Sequence, residues 1–164
     1  MSVQIRPATV DDGPFLRAML YEAAQWNTDW PLEPMDKVIA NPITARYIEG
    51  WGRPGDAGVV AEVDGEPVGA AWYRLFDESA PGYGFVDAST PELSIAVARL
   101  HRRKGIGTAL LRALIDRARA DGHPALSLSV APHNQSRMLY QREGFTKVGE
   151  NRGAWTMRLD LRPH

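Results

Sequence analysis

Three consecutive cations, Arg102, Arg103 and Lys104, stand directly before two closely spaced glycines, Gly105 and Gly107, in the segment SIAVARLHRRKGIGTALL. An apolar strand-like run precedes them and a helical pattern follows, so they occupy the turn at which a helix opens. A helix begins with about four unpaired N–H groups and the positive end of its dipole. It therefore attracts phosphate wherever the backbone can come close. Missing side chains at Gly105 and Gly107 expose the amides, and the three cations supply countercharge for a polyphosphate. The glycine pair alone reads sooner as a solvated basic turn with a glycine-rich helix start; it is the flanking context that points to an anion. Spacing excludes two nucleotide motifs: a Walker loop needs its lysine after the glycines, and a dinucleotide fingerprint needs a third glycine where Leu110 stands.

The elements that must hold this turn are legible on both sides of it. VQIR alternates as a short strand, Thr9 and Asp12 mark a helix start, and Phe15, Leu16, Met19, Leu20 and Ala23 give that helix an apolar face as far as about Gln25. The segment from Trp26 to Asp56 mixes three Trp with four Pro and reads as loops and short helical pieces, with ITARYIEGW the best helical stretch. GVVAEV and EPVGAAWYRLF, joined by Asp64 and Gly65, form an antiparallel hairpin. DESAPGYGFVDAST is a loop and PELSIAVA the next strand. Ile106, Ala109, Leu110, Ala113, Leu114 and Ala118 then recur at helical spacing until the stop signal Asp121, Gly122, His123, Pro124. ALSLSV, a short helix from about Asn134 to Glu143, and a final hairpin of FTKVGE and AWTMRLDL complete an α/β chain.

The 164 residues fit one domain spanning 1–164, and 44% hydrophobic with 24% charged residues suffices for a core and argues against disorder. A formal charge of −1 gives no global attraction to nucleic acid or an anionic membrane, so anion binding must be local. No basic start with an apolar run is present and no stretch nears the ~20 apolar residues of a membrane span, which makes the cytosol the expected location. The absence of cysteine removes disulfides, thiolate metal sites and any intermediate held on a cysteine. His101, His123, His133 and His164 lack metal-ligand spacing, so no metal is expected.

Two motifs together resemble the GNAT superfamily of acetyl-CoA dependent N-acetyltransferases. The first is Arg or Gln, two residues, Gly, one residue, Gly or Ala, matched by Arg102, Gly105 and Gly107; the second is an Asn opening a helix, a Tyr six residues on and a closing Gly-Phe, matched by Asn134, Tyr140, Gly144 and Phe145. Arg103 stands where many members have glycine. The resemblance implies a central mixed, mostly antiparallel sheet flanked by helices, with strands PELSIAVA and ALSLSV splayed apart. It implies acetyl-CoA as co-substrate, its diphosphate held by Arg102, Arg103, Lys104, Gly105, Ile106, Gly107 and Thr108, and its pantetheine arm bonded to backbone near Ile95 and Val97 in the manner of an added strand. Asn134 would hydrogen-bond in that cleft, act as a helix cap, or both.

Direct attack of an amine on the thioester in a ternary complex is the expected mechanism. An alkylamine of pKa ~10.4 is only ~0.04% neutral at pH 7, so a base or a dry pocket is required. Glu92 is the candidate base, through a water, by its resemblance to a glutamate many members place there; the alternative is a strand-end carboxylate in solvent. A backbone N–H near Val97 would stabilise the oxyanion. Tyr140 would protonate the leaving thiolate, the alternative being a packed helix residue. Trp26, Trp30 and Trp51, with Asp29, Glu33 and Asp36, lie where the family builds its acceptor site, and suit a small-molecule or peptide amine; the competing role is loop core and solvated acids. The loop with Gly82 and Gly84 would close over the acceptor. A non-catalytic acyl-CoA sensor, a nucleic-acid binder using HRRK and a homodimer are further readings; balanced charge and no adjacent aromatic platform weigh against the second.

Overall fold

The computed structural model describes residues 2–162. Seven strands form one sheet: β1 (Val3–Pro7), β2 (Ala57–Val63), β3 (Glu66–Arg74), β4 (Glu92–Val97), β5 (Ala125–Val130), β6 (Thr146–Asn151) and β7 (Ala154–Asp160), in the order β1-β2-β3-β4-β5-β7-β6. Among the described residues five α-helices join them: α1 (Gly13–Ala24), α2 (Met35–Ile39), α3 (Pro42–Ala45), α4 (Ile106–Ala120) and α5 (Ser136–Arg142). Every neighbouring pair is antiparallel except β4 and β5, which run parallel around the α4 crossover.

The strand alternation sorts side chains onto two buried layers. Leu110, Leu111, Leu114 and Ala118 of α4 pack with Val59, Ala71, Leu126, Leu128 and Met157 on one face, together with Tyr140 and Phe145. Leu16, Met19 and Leu20 of α1 pack with Val60, Ala70, Trp72 and Ala96 on the other. The hairpin turn between β2 and β3 has Asp64 and Gly65 at φ 52° and 81°, the left-handed pair that matches strand twist in a two-residue turn.

The expected helix over ITARYIEGW is cut to the single turn of α3. Asn41 caps it, its Oδ1 accepting from Ile43 N–H at 3.0 Å, but beyond Ala45 the carbonyls are taken by a competitor. The guanidinium of Arg74 donates to Arg46 O at 2.8 Å and Glu49 O at 2.7 Å, while its Nε and Nη2 hold Asp56 at 3.1 and 2.7 Å. Arg74 and Asp56 side chains are 0% and 3% exposed, so this ion pair is buried and anchors the whole 46–56 segment to the sheet. A charge buried with its partner removed is strongly destabilising. Arg74→Leu should therefore lower unfolding free energy by about 3–5 kcal/mol in urea titration, and Arg74→Leu with Asp56→Asn should recover part of it.

Candidate active site

The two parallel strands part almost as soon as they meet. Their register contains one pair, Glu92 with Ser127, closed by Ser127 N–H donating to Pro91 O at 3.0 Å. Each strand is meanwhile held on its far side by six pairs, β4 to β3 and β5 to β7. Pro91 C=O points to β5, and Ala98 N–H, just past the other end of β4, donates to Val68 O of β3 at 2.7 Å. Alternation then aims the peptide groups of Ile95 and Val97 at the gap.

The turn at the head of α4 stands at the open end of this fork. Gly105 is its N-cap at φ 81°, and a Cβ built there would meet nothing within 4 Å, so the approach to the first helical amides is clear. Arg103 also takes a left-handed φ, 64°, the conformation that favours the glycine many relatives of the motif carry. A Cβ at Gly107 would lie 3.7 Å from Leu139 and 4.0 Å from Val97, so the tip of β4, the first turn of α4 and helix α5 converge around it.

The side chains of the cradle divide. Arg103 and Lys104 are exposed and form no ion pair among the described residues. Arg102 is spoken for: its Nε donates to Val97 O at 2.9 Å and its Nη2 to Glu22 of α1 at 3.2 Å, so it braces the turn against β4 instead of standing free for phosphate. Ile106 is buried against the core, which leaves only its backbone N–H for a ligand, and Thr108 is half-buried. Asn134 lies one residue before Gln135, the N-cap of α5, and its Oδ1 accepts from Ser136 N–H at 2.9 Å, so its side chain ties the connection to the first helical residue.

Tyr140 and Glu92 lie on opposite faces of the fork. Tyr140 is buried on the α4 face, edge-to-face with Phe145, and burial pushes its phenol above its ordinary value, so it stays protonated at neutral pH. Glu92, 2% exposed, projects to the α1 face. Its Oε2 accepts hydrogen bonds from the Tyr47 hydroxyl and from Gly84 N–H, the latter at 3.1 Å, and burial raises its pKa to about 7 against those two donors. The alternative of a solvated strand-end carboxylate is thereby replaced by a buried one. Tyr47 and Ser127 were not singled out by the sequence; Tyr47 meets Glu92 across 45 residues, a separation no local pattern reports.

The loop carrying Gly82 and Gly84 seals this carboxylate. A Cβ at Gly82 would lie 2.4 Å from Glu92 Oε1, and one at Gly84 2.6 Å from the Leu128 carbonyl on β5, so only glycine lets the loop lie this close. Tyr83 N–H donates to the Tyr47 hydroxyl at 2.8 Å, and Asn151 of β6 donates to Tyr83 O at 3.0 Å.

The three tryptophans separate as well. Trp51 is structural, its Nε1 donating to Thr9 O at 2.9 Å. Trp26, at the end of α1, packs on Trp30 with centroids 5.2 Å apart and on His133, from the β5–α5 connection, at 5.1 Å. This contact spans the mouth of the fork, since α1 covers β4 and His133 follows β5. The expected acid partners are engaged elsewhere: Asp36 pairs with Arg17 at 2.8 Å and Glu33 with Lys37 at 3.0 Å, both at the surface.

Comparison with known proteins decides the family. The model of the acetyltransferase (GNAT) family matches residues 17–145, most of the chain. The chain belongs to the GNAT family. An L-methionine sulfoximine/L-methionine sulfone acetyltransferase of Pseudomonas paraeruginosa is 34% identical over 99% of this chain and 97% of its own length. An L-2,4-diaminobutyric acid acetyltransferase of Nocardia farcinica is 38% identical over 76% of this chain and 59% of its own. Among solved structures, yncA from Salmonella typhimurium with its cofactor acetyl-CoA aligns with a TM-score of 0.69 at 25% identity, covering 100% of this chain and 96% of that one. This GNAT protein is an enzyme that transfers the acetyl group of acetyl-CoA to an amine.

Gly105→Glu would place bulk and a like charge at the open helix start, in a left-handed backbone that costs an L-residue of order 1 kcal/mol. Isothermal calorimetry should find coenzyme A binding lost in a variant whose circular dichroism is unchanged; retained affinity in a folded variant would refute the diphosphate assignment.

Proposed function

We propose that this enzyme acetylates the amino group of a small amino acid or amino-acid analogue, by direct attack on acetyl-CoA in a ternary complex. The observation that carries the mechanism is the placement of Glu92 and Tyr140 on opposite faces of the fork. A thioester lying between β4 and β5 then has a proton acceptor on the side of α1 and a proton donor on the side of α5. The amine enters from the α1 face, gives its proton through a water to Glu92, and attacks the carbonyl carbon. Backbone N–H near Val97 faces the developing oxyanion. As the C–N bond forms and the C–S bond breaks, the thiolate takes the Tyr140 proton; the nitrogen then releases its second proton to water, from which Tyr140 is reprotonated, leaving the neutral amide and free coenzyme A thiol with the first proton on Glu92. Arg103, Lys104 and the amides from Gly105 to Thr108 hold the diphosphate, with Ile95 and Val97 bonding the pantetheine amides.

The acceptor class rests on two lines of support. Relatives matched here carry the names of amino-acid and amino-acid-analogue acetyltransferases. The aromatic group Trp26, Trp30 and His133 walls the mouth of the fork at its α1 side, giving faces against which a short side chain or an ammonium packs.

Purified enzyme with acetyl-CoA should release free thiol on a panel of amino acids and sulfoximine or sulfone analogues, and should release far less on peptides; coenzyme A binding without turnover on any amine would favour a sensor. Tyr140→Phe should cut kcat by about 10²-fold or more with little change in coenzyme A affinity.

A base must be unprotonated to act, and Glu92 is half ionised near pH 7. The rate kcat/KM should accordingly rise with pH through about 7 and level off above it. Glu92→Gln should remove that limb and lower the plateau by about 10²-fold or more, as read from the pH–rate profile.

A further inference from the structure

At the closed end of the fork two polar atoms are buried with no hydrogen-bond partner: Glu92 Oε1 and Ser127 Oγ. Glu92 is 2% exposed and Ser127 0%, so neither reaches bulk solvent. They are register partners across the β4–β5 pair, which places both side chains next to each other on the same face of the sheet. That face is the one covered by Tyr47 and the Gly82–Gly84 loop, because Tyr47 and Gly84 both donate to the other oxygen of the same carboxylate. Buried polar atoms nearly always have partners, and two orphans side by side, one an acceptor and one a hydroxyl, share the chemistry of a small molecule that both donates and accepts.

We propose that Ser127 is a positioning residue of the reaction: its Oγ and Glu92 Oε1 hold between them one water molecule through which the acceptor ammonium passes its proton to Glu92. The water takes the ammonium proton and releases one of its own to Oε1, so charge and atoms balance and no bond to carbon changes. Ser127 accepts from or donates to that water and fixes its orientation toward the gap, while Tyr47 and Gly84 hold Oε2 and leave only Oε1 as the proton's destination. This inference rests on the reading of Glu92 as the base, and it adds the group that makes a sealed carboxylate reachable.

The titratable and charged groups around the pair are few. Tyr47 approaches from the turn after α3, with Tyr83 N–H on its oxygen. Arg74, the β3 neighbour of Glu92 in the same row, is neutralised by Asp56, and Arg158 of β7 is the next residue of the row beyond Ser127.

Ser127→Ala removes one hydroxyl and adds no bulk, and Ser127→Cys, nearly isosteric with a weaker hydrogen-bonding group, is the second variant should the first fold poorly. The carboxyl stretch of Glu92, read by infrared difference spectroscopy against pH with Glu92→Gln as the blank, reports its ionisation without reference to turnover. With a bound water lost, the carboxylate is less well solvated, so its midpoint should move to higher pH in both variants, more in Ser127→Ala than in Ser127→Cys. The rising limb of kcat/KM should move with it and kcat fall roughly tenfold, with coenzyme A affinity unchanged. An infrared midpoint that stays where it is in folded variants overturns the proposal. A midpoint that moves while the rate profile does not would uphold the shared water and remove Glu92 from the proton path, which separates the failure of the base reading from the failure of this one.

Discussion

Two parallel strands joined by a single register pair govern the rest of this structure. In an ordinary parallel pair the peptide groups of Ile95 and Val97 would be satisfied by β5, and nothing polar would remain for a ligand. Here β4 is held by β3 and β5 by β7 over six pairs each, and the two halves of the sheet diverge beyond Glu92 and Ser127. The divergence is stable because each half has its own packing: α4 and α5 fill one face, and α1 with the 35–56 segment fills the other. An unpaired edge inside a well-packed sheet is costly unless something bonds to it. Arg102 Nε already takes Val97 O, and the remaining groups suit the amides of an extended arm.

Charge is distributed to serve the same gap. Glu22 of α1 takes Arg102 at 3.2 Å and Arg99 at 3.6 Å, so two of the basic residues around the turn tie α1 to it and do not compete for a ligand. Arg103 and Lys104 stay exposed beside the open amides, where long-range attraction of an anion is not cancelled by a neighbour. On the α1 face the buried carboxylate of Glu92 is surrounded by neutral donors, while the nearby guanidinium of Arg74 is occupied by Asp56. A direct cation at Glu92 would hold its pKa low and make it a poor base; neutral donors in a dry site leave it near 7.

Much of the second half was legible before any coordinates. The hairpins, the α4 periodicity and the stop after Asp121 depend on local rules, and the observed elements follow them within a few residues. The helix start at Gly105 was equally legible, because glycines and cations at a strand-to-helix turn are all encoded within six positions. The segment from Trp26 to Asp56 was not, since its conformation is set from outside: Arg74 captures carbonyls that a longer helix would have used, and Trp51 reaches back to Thr9. The role divided among the three cations could not be read either. Glu22, which separates Arg102 from Arg103 and Lys104, lies 80 residues away in the chain.

The sequence by itself determined the order of strands and helices, the basic, glycine-containing turn at the head of α4 and the lack of a cysteine nucleophile, because each is a property of neighbouring residues or of composition. Tertiary structure alone decided where the strands part, which oxygen of Glu92 is engaged, and that Tyr47, Gly84 and Ser127 surround that carboxylate. Those features arise from contacts between residues distant in the chain. They are created by packing and burial, and a buried group takes its ionisation from whatever the fold brings beside it.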